Sequence, residues 1–228
     1  MAGEESMKPI IEKTADGSHT LFVSELDEHY HSVNGAIQES NHVFIETGLK
    51  HCEKDTISIF EVGFGTGLNA YLTLLEAKKS DKVIYYTSIE AYPLDKDLIR
   101  ELNYPHQLSA DSLSYFYRLH DAEWGAEVKI SDNFYLRKLH ADFVQFDFSQ
   151  ITNQQDLIYF DAFAPDKQPD MWSQDIFNQL YKLSSAQGIL VTYCAKGVVR
   201  RMMQQAGYTT ERLPGPPGKR EMLRATKR

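Results

Sequence analysis

The stretch Thr56-Ile57-Ser58-Ile59-Phe60-Glu61-Val62-Gly63-Phe64-Gly65-Thr66-Gly67-Leu68-Asn69 passes from an apolar run to a glycine-rich turn and then into a helical pattern. β-Branched and aromatic residues over 56–62 predict a strand. Leu68 to Lys79 then carries apolar residues at helical spacing. Glycines at 63, 65 and 67 permit a tight bend and let backbone N–H groups come close to a ligand. A purely structural turn is the plain alternative. Two details sharpen the ligand reading. The spacing is G-x-G-x-G, whereas dinucleotide binders use G-x-G-x-x-G. Glu61 stands two residues before the first glycine, where a carboxylate suits the ammonium of an amino-acid-bearing cofactor better than it suits a pyrophosphate.

Outward from this bend, strands and helices alternate. Strands are predicted at Val83–Glu90, Phe134–His140, Asp156–Phe160 and Gly188–Tyr193, with two more around Tyr208 and Met222. Helices are predicted at Leu94–Leu102, Ser109–Glu123, Ser173–Leu183 and Val198–Ala206, with Pro105 as punctuation between the first two. This order indicates an α/β fold, a mostly parallel sheet with helices on both faces. Upstream, Leu21–Val23 and His29–His31 read as short strand pieces, and Ala36–Lys50 as a helix. Residues 1–50 read as an N-terminal extension packed on a core domain of residues 51–228.

In such sheets ligands bind beyond the carboxyl ends of the strands, so residues just after each strand carry the information. Glu90 closes the second strand and can accept bonds from both ribose hydroxyls. Asp142 follows the next strand and can accept from an adenine amino group, although an N-cap role fits it nearly as well. Asp161, in Asp161-Ala162-Phe163-Ala164-Pro165, is a polar tip beside an apolar shelf of Phe163 and Pro165. A carboxylate there can orient an amine nucleophile and take up its proton during an in-line displacement.

Composition narrows the classes. Hydrophobic residues at 42% and charged residues at 25% are a globular balance, which argues against disorder. No apolar run is long enough for a membrane span, and the acidic, polar first residues do not read as a secretory signal. Met7 offers a second start, with residues 1–6 then extraneous. Two distant cysteines, Cys52 and Cys194, exclude a disulfide framework and point to a reducing, cytoplasmic setting. The eight histidines show no metal-ligand spacing, so no metal is expected. Net charge is −8, yet Lys196–Arg228 holds nine basic residues against two acidic, a local +7 that leaves −15 on residues 1–195. That tail reads either as a solvated face or as a footprint for phosphates.

Several blocks together resemble the methyltransferase domain of the MnmC family, the bifunctional tRNA 5-methylaminomethyl-2-thiouridine biosynthesis proteins. They are Asn34-Gly-Ala-Ile-Gln-Glu-Ser40 with Val43-Phe-Ile45, the Phe60–Asn69 run, Asp161–Trp172, Gly197–Arg201 and Gly218–Leu223. The resemblance implies a class I S-adenosyl-L-methionine-dependent methyltransferase fold, Rossmann-like, with a seven-stranded mostly parallel sheet. It implies N-methylation of an aminomethyl group on the wobble uridine of tRNA. Gly63, Gly65, Gly67, Asn69 and Glu90 would line the cofactor, and Asp161 would face the amine. Lys219 and Arg220 would lie near substrate or backbone phosphate, with Glu39 and Ser40 closing over the cofactor. The family's bifunctional members carry a flavin-dependent oxidase domain for which 228 residues leave no room. The chain therefore reads as a stand-alone methyltransferase whose substrate comes from a separate oxidase or from upstream tRNA-modification enzymes. A same-fold enzyme acting on a small-molecule amine, a nucleotide-dependent oxidoreductase and an inactive cofactor-binding module are the rival readings.

Overall fold

A computed structural model describes residues 8–228; the reading of residues 1–6 as extraneous lies outside them. Three short strands come first, β1 (Ile10–Lys13), β2 (His19–Val23) and β3 (Glu28–His29), paired antiparallel in a small sheet of their own. The predicted helix over 36–50 divides into α1 (Ala36–Ser40), a π-helical stretch over Asn41–Glu46 and a 3₁₀ turn over Leu49–His51.

The main sheet begins with β4 (Thr56–Val62), followed after the glycine bend by α2 (Leu68–Ala77) and β5 (Val83–Glu90). Three helices follow, α3 (Lys96–Glu101), α4 (Tyr104–Leu108) and α5 (Leu113–Asp121). Pro105 sits in the first turn of α4 and not between helices. Proline fits there because its missing N–H would have no intrahelical partner. The chain continues through β6 (Glu127–Ser131), β7 (Phe134–His140), β8 (Gln155–Phe160), α6 (Gln174–Leu183), β9 (Ser184–Thr192), α7 (Gly197–Ala206), β10 (Thr209–Pro214) and β11 (Glu221–Thr226).

The sheet order is β10-β11-β9-β8-β4-β5-β7-β6, eight strands where seven were expected. As expected the sheet is mostly parallel, with β4, β5, β7, β8 and β9 parallel and β11 antiparallel to β9. The eighth is β6, which forms an antiparallel hairpin with β7 around Asp132-Asn133 and lengthens one edge. Its Val128 and Ile130 alternate with Lys129, a five-residue pattern too short to stand out in the sequence. Between β4 and β5 on one side and β8 on the other, strand order reverses, which opens the crevice where α/β sheets hold ligands.

Period-two alternation sends β4 side chains to opposite faces. Ile57, Ile59 and Glu61 join Ile84, Tyr86, Leu136 and Tyr159 under α2 and α5; Phe60 and Val62 join Phe160, Phe177, Leu180 and Leu190 under α6 and α7. Glu61 thus shares a face with a buried aliphatic pair. Among the described residues no helix is long and apolar enough to cross a membrane.

Candidate active site

The glycine bend is built from backbone conformations that side chains resist. Gly63, Gly65 and Gly67 take φ of +90°, +49° and +72°. A Cβ on Gly65 would stand 3.0 Å from the Tyr30 ring, and one on Gly67 would stand 2.8 Å from His120 Nε2. Gly63 and Gly65 border a cavity of about 690 Å³ at the carboxyl ends of β4, β5, β7 and β8. That volume lies within the range of small-molecule sites. Gly67 does not border it. It caps the N-terminus of α2, where it turns the chain into the helix.

Glu90 holds the bend in place. Its Oε2 accepts from the Gly65 N–H at 2.9 Å and its Oε1 accepts from the Tyr92 N–H at 2.8 Å, with the carboxylate still facing the cavity. Each oxygen retains acceptor capacity, as a ribose diol would require. Asp142 shows its expected capping role. It caps the turn at Phe143–Gln145, accepting from the Val144 N–H at 2.9 Å, and it borders the cavity.

Asp161 enters the same cavity from the end of β8. The Asn69 amide donates from Nδ2 to Asp161 Oδ2 at 2.8 Å. Burial pushes the Asp161 carboxyl up to about 7 against the opposing pull of that hydrogen bond. The loop after it is tied at two points: Trp172 Nε1 donates to the Phe163 carbonyl at 2.8 Å, and Tyr193 Oη donates to the Ala162 carbonyl at 2.8 Å. Trp172 thus gives the Pro-Asp-Met-Trp block a structural purpose, which is to fix the backbone carrying Asp161. Phe163 borders the cavity and meets Tyr30 edge-on, ring centroids 5.1 Å apart. Pro165 does not border the cavity; Ala164 does.

Two other expectations, for Glu61 and Ser40, need correction. Glu61 is fully buried and outside the cavity, with its Oε2 accepting from Ser88 Oγ at 2.6 Å. Its burial raises the carboxyl to about 8, so it offers no anion to a cofactor's ammonium. Lys219 borders the cavity. It forms an ion pair with the buried Glu39 and sits 4.4 Å over the Tyr193 ring. Glu39 in turn accepts from the Ser32 N–H at 2.7 Å. Ser40 is buried away from the cavity. Arg220 is exposed, outside the cavity and without an ion pair among the described residues.

The sequence did not signal the contribution of the segment after β3. Tyr30 and His31 both face the cavity. His31 is buried and bonded through Nε2 to Thr66 Oγ1 at 2.9 Å, and burial lowers its pKa to about 4. The one available hint was a strand-like His29-Tyr30-His31. Nothing local linked it to a turn thirty-five residues away.

Comparison with known proteins follows the geometry. A family profile described as S-adenosyl-L-methionine-dependent methyltransferase matches residues 117–228. The MnmC bifunctional protein of Campylobacter hominis is 30% identical over 210 residues, covering 90% of this chain and 31% of that protein. Its counterpart in Pseudomonas syringae pv. tomato is 33% identical over 210 residues, covering 86% of this chain and 31% of that protein. The chain spans about a third of the length of these curated relatives. Among solved structures, MnmC2 from Aquifex aeolicus superposes with a TM-score of 0.80 at 25% identity, covering 99% of this chain and 72% of that one. Spermidine synthase from Thermotoga maritima, at TM-score 0.54 and 13% identity, shares the fold alone. The chain therefore carries the class I S-adenosyl-L-methionine-dependent methyltransferase fold and is a relative of the methyltransferase part of MnmC.

Proposed function

We propose that the chain is an S-adenosyl-L-methionine-dependent N-methyltransferase that converts 5-aminomethyl-2-thiouridine to 5-methylaminomethyl-2-thiouridine at the wobble position of tRNA. The observation that carries this reading is the shared cavity. A glycine bend, a strand-terminal Glu90 and an oriented Asp161 face one space of about 690 Å³. The residues fit the cofactor: Gly63 and Gly65 leave room for close backbone approach, Glu90 serves the ribose and Asp142 the adenine edge. The cofactor supplies an electrophilic methyl group on a sulfonium. Asp161 then holds the acceptor amine in line and takes its proton, a task suited to a carboxyl raised to about 7. Tyr30 and Phe163 set paired aromatic rings in the cavity wall, to which the segment before residue 51 supplies Tyr30 and Glu39.

A cytoplasmic location agrees with a tRNA substrate. The aminomethyl group must be supplied by a preceding reaction on the tRNA. A small-molecule amine is the second reading, favoured by the −15 carried on residues 1–195. Incubation with labelled cofactor and undermodified tRNA separates the two: label in tRNA supports the proposal, and label confined to small molecules overturns it.

A further inference from the structure

Three buried polar atoms without hydrogen-bond partners belong to neighbouring side chains: Glu61 Oε1, Asn69 Oδ1 and Tyr86 Oη. Unpaired buried polar atoms are costly, and three together call for one explanation. Both Tyr86 and Asn69 lie within interaction range of the Glu61 carboxyl. The charged and titratable groups facing it are Tyr86 from β5, with Ser88 beside it, and Tyr159 and Asp161 from β8, while Asn69 covers it from α2.

We infer that Glu61 is a positioning residue for the proposed methyl transfer: its neutral carboxyl donates from Oε1 to Asn69 Oδ1 and so fixes the Asn69 amide with Nδ2 toward Asp161. The hydrogen-bond pattern leads there step by step. Ser88 Oγ occupies Glu61 Oε2 as a donor, which leaves Oε1 to carry the proton. An ionised Glu61 would set an acceptor against the Asn69 amide oxygen, another acceptor. The proton removes that conflict, while the Tyr86 hydroxyl lies within interaction range of the same carboxyl. The Glu61 and Asn69 oxygens are then both satisfied. The amide also links two carboxyls. With Nδ2 toward Asp161, the amide favours negative charge on Asp161. If the amide turned over, Oδ1 would face Asp161 and that carboxyl would have to hold the proton. The observed orientation leaves the charge on the carboxyl that must act as base. Burial agrees in direction, holding Glu61 protonated up to about pH 8.

The inference rests on methyl transfer for its kinetic arm but not for its spectroscopic one. Infrared spectra of the full chain labelled at glutamate should show a protonated glutamate carboxyl near neutral pH that titrates around 8. Absence of that band overturns the inference, whatever the substrate proves to be. E61Q keeps an N–H donor toward Asn69 at every pH. Its single-turnover rate with aminomethyl-bearing tRNA should stay within about 3-fold of the parent near neutrality. It should also lack the alkaline decline that the parent shows above about 8. A loss of more than about 10-fold near neutrality, with cofactor affinity unchanged, means that an ionised Glu61 is required and contradicts the inference. Should E61Q fail to fold, the infrared titration of the parent chain still decides. If the parent transfers no methyl group to tRNA, the substrate proposal fails while that titration stands.

Discussion

Asn69 Nδ2 donates to Asp161 Oδ2 at 2.8 Å, joining the first turn of α2 to the end of β8 across the strand-order reversal. One helix thereby positions the glycine bend through its N-terminus and the candidate base through its second residue. Replacing Asp161 by Ala should lower the methyl-transfer rate by about 10²–10⁴-fold and leave cofactor affinity within a few-fold. In the parent chain the rate should rise with pH through about 7, because the protonated carboxyl cannot accept the amine's proton. Single-turnover kinetics with calorimetry checks both. An unchanged rate in Asp161→Ala removes this residue from the mechanism.

Glu90 ties the bend to the cavity wall through Gly65 and Tyr92. Glu90→Ala removes two backbone contacts and the acceptor for the ribose. S-adenosyl-L-methionine affinity should fall by about 10–100-fold, roughly 1.4–2.8 kcal/mol by calorimetry. A dissociation constant equal to the parent's would exclude Glu90 from the cofactor site.

Lys219 and Arg220 are neighbours in sequence with separate fates. Lys219→Ala leaves the buried Glu39 without its cation, so the rate or cofactor affinity should suffer while the salt dependence of tRNA binding holds. Arg220→Ala should do the reverse, flattening the slope of log affinity against log salt by about one phosphate contact. Equal slopes for parent and Arg220→Ala would place the tRNA backbone elsewhere.

His31 and His120 set an acid limit to stability. Burial depresses their folded-state pKa values to about 4 and about 3, below the ordinary 6.5. A depressed folded value means that the unfolded chain binds the proton more tightly. Stability is therefore full above 6.5 and falls as pH drops toward 4, by on the order of 3 kcal/mol for His31. Glu61 and Asp161 act with the opposite sign, so the informative quantity is the difference between parent and His31→Asn. Urea midpoints of the two should converge as pH falls from 6.5 toward 4. A constant gap would show that His31 is not buried neutral.

Strand ends carried most of what the sequence revealed. Glu90 and Asp161 were legible because each closes an apolar run, and the cavity lies where such runs end. Glu61 was misplaced, although its period-two partners Ile57 and Ile59 put it on the buried face; only the packing of α2 shows that Asn69 covers it. Tyr30 and His31 reach the cavity because a small separate sheet brings them to Gly65 and Thr66, a long-range contact with no local signature. Lys219 was found through its motif, but its pairing with Glu39 joins residues 180 positions apart. β6 went unread because five alternating residues at a sheet edge bury little.

Nucleoside analysis of aminomethyl-bearing tRNA, incubated with the full chain and S-adenosyl-L-methionine, tests the central claim most directly. The account predicts that the 5-aminomethyl-2-thiouridine peak is replaced by its singly N-methylated form, and that Asp161→Ala leaves it untouched. A tRNA that emerges unmodified from folded, cofactor-bound parent protein would contradict it.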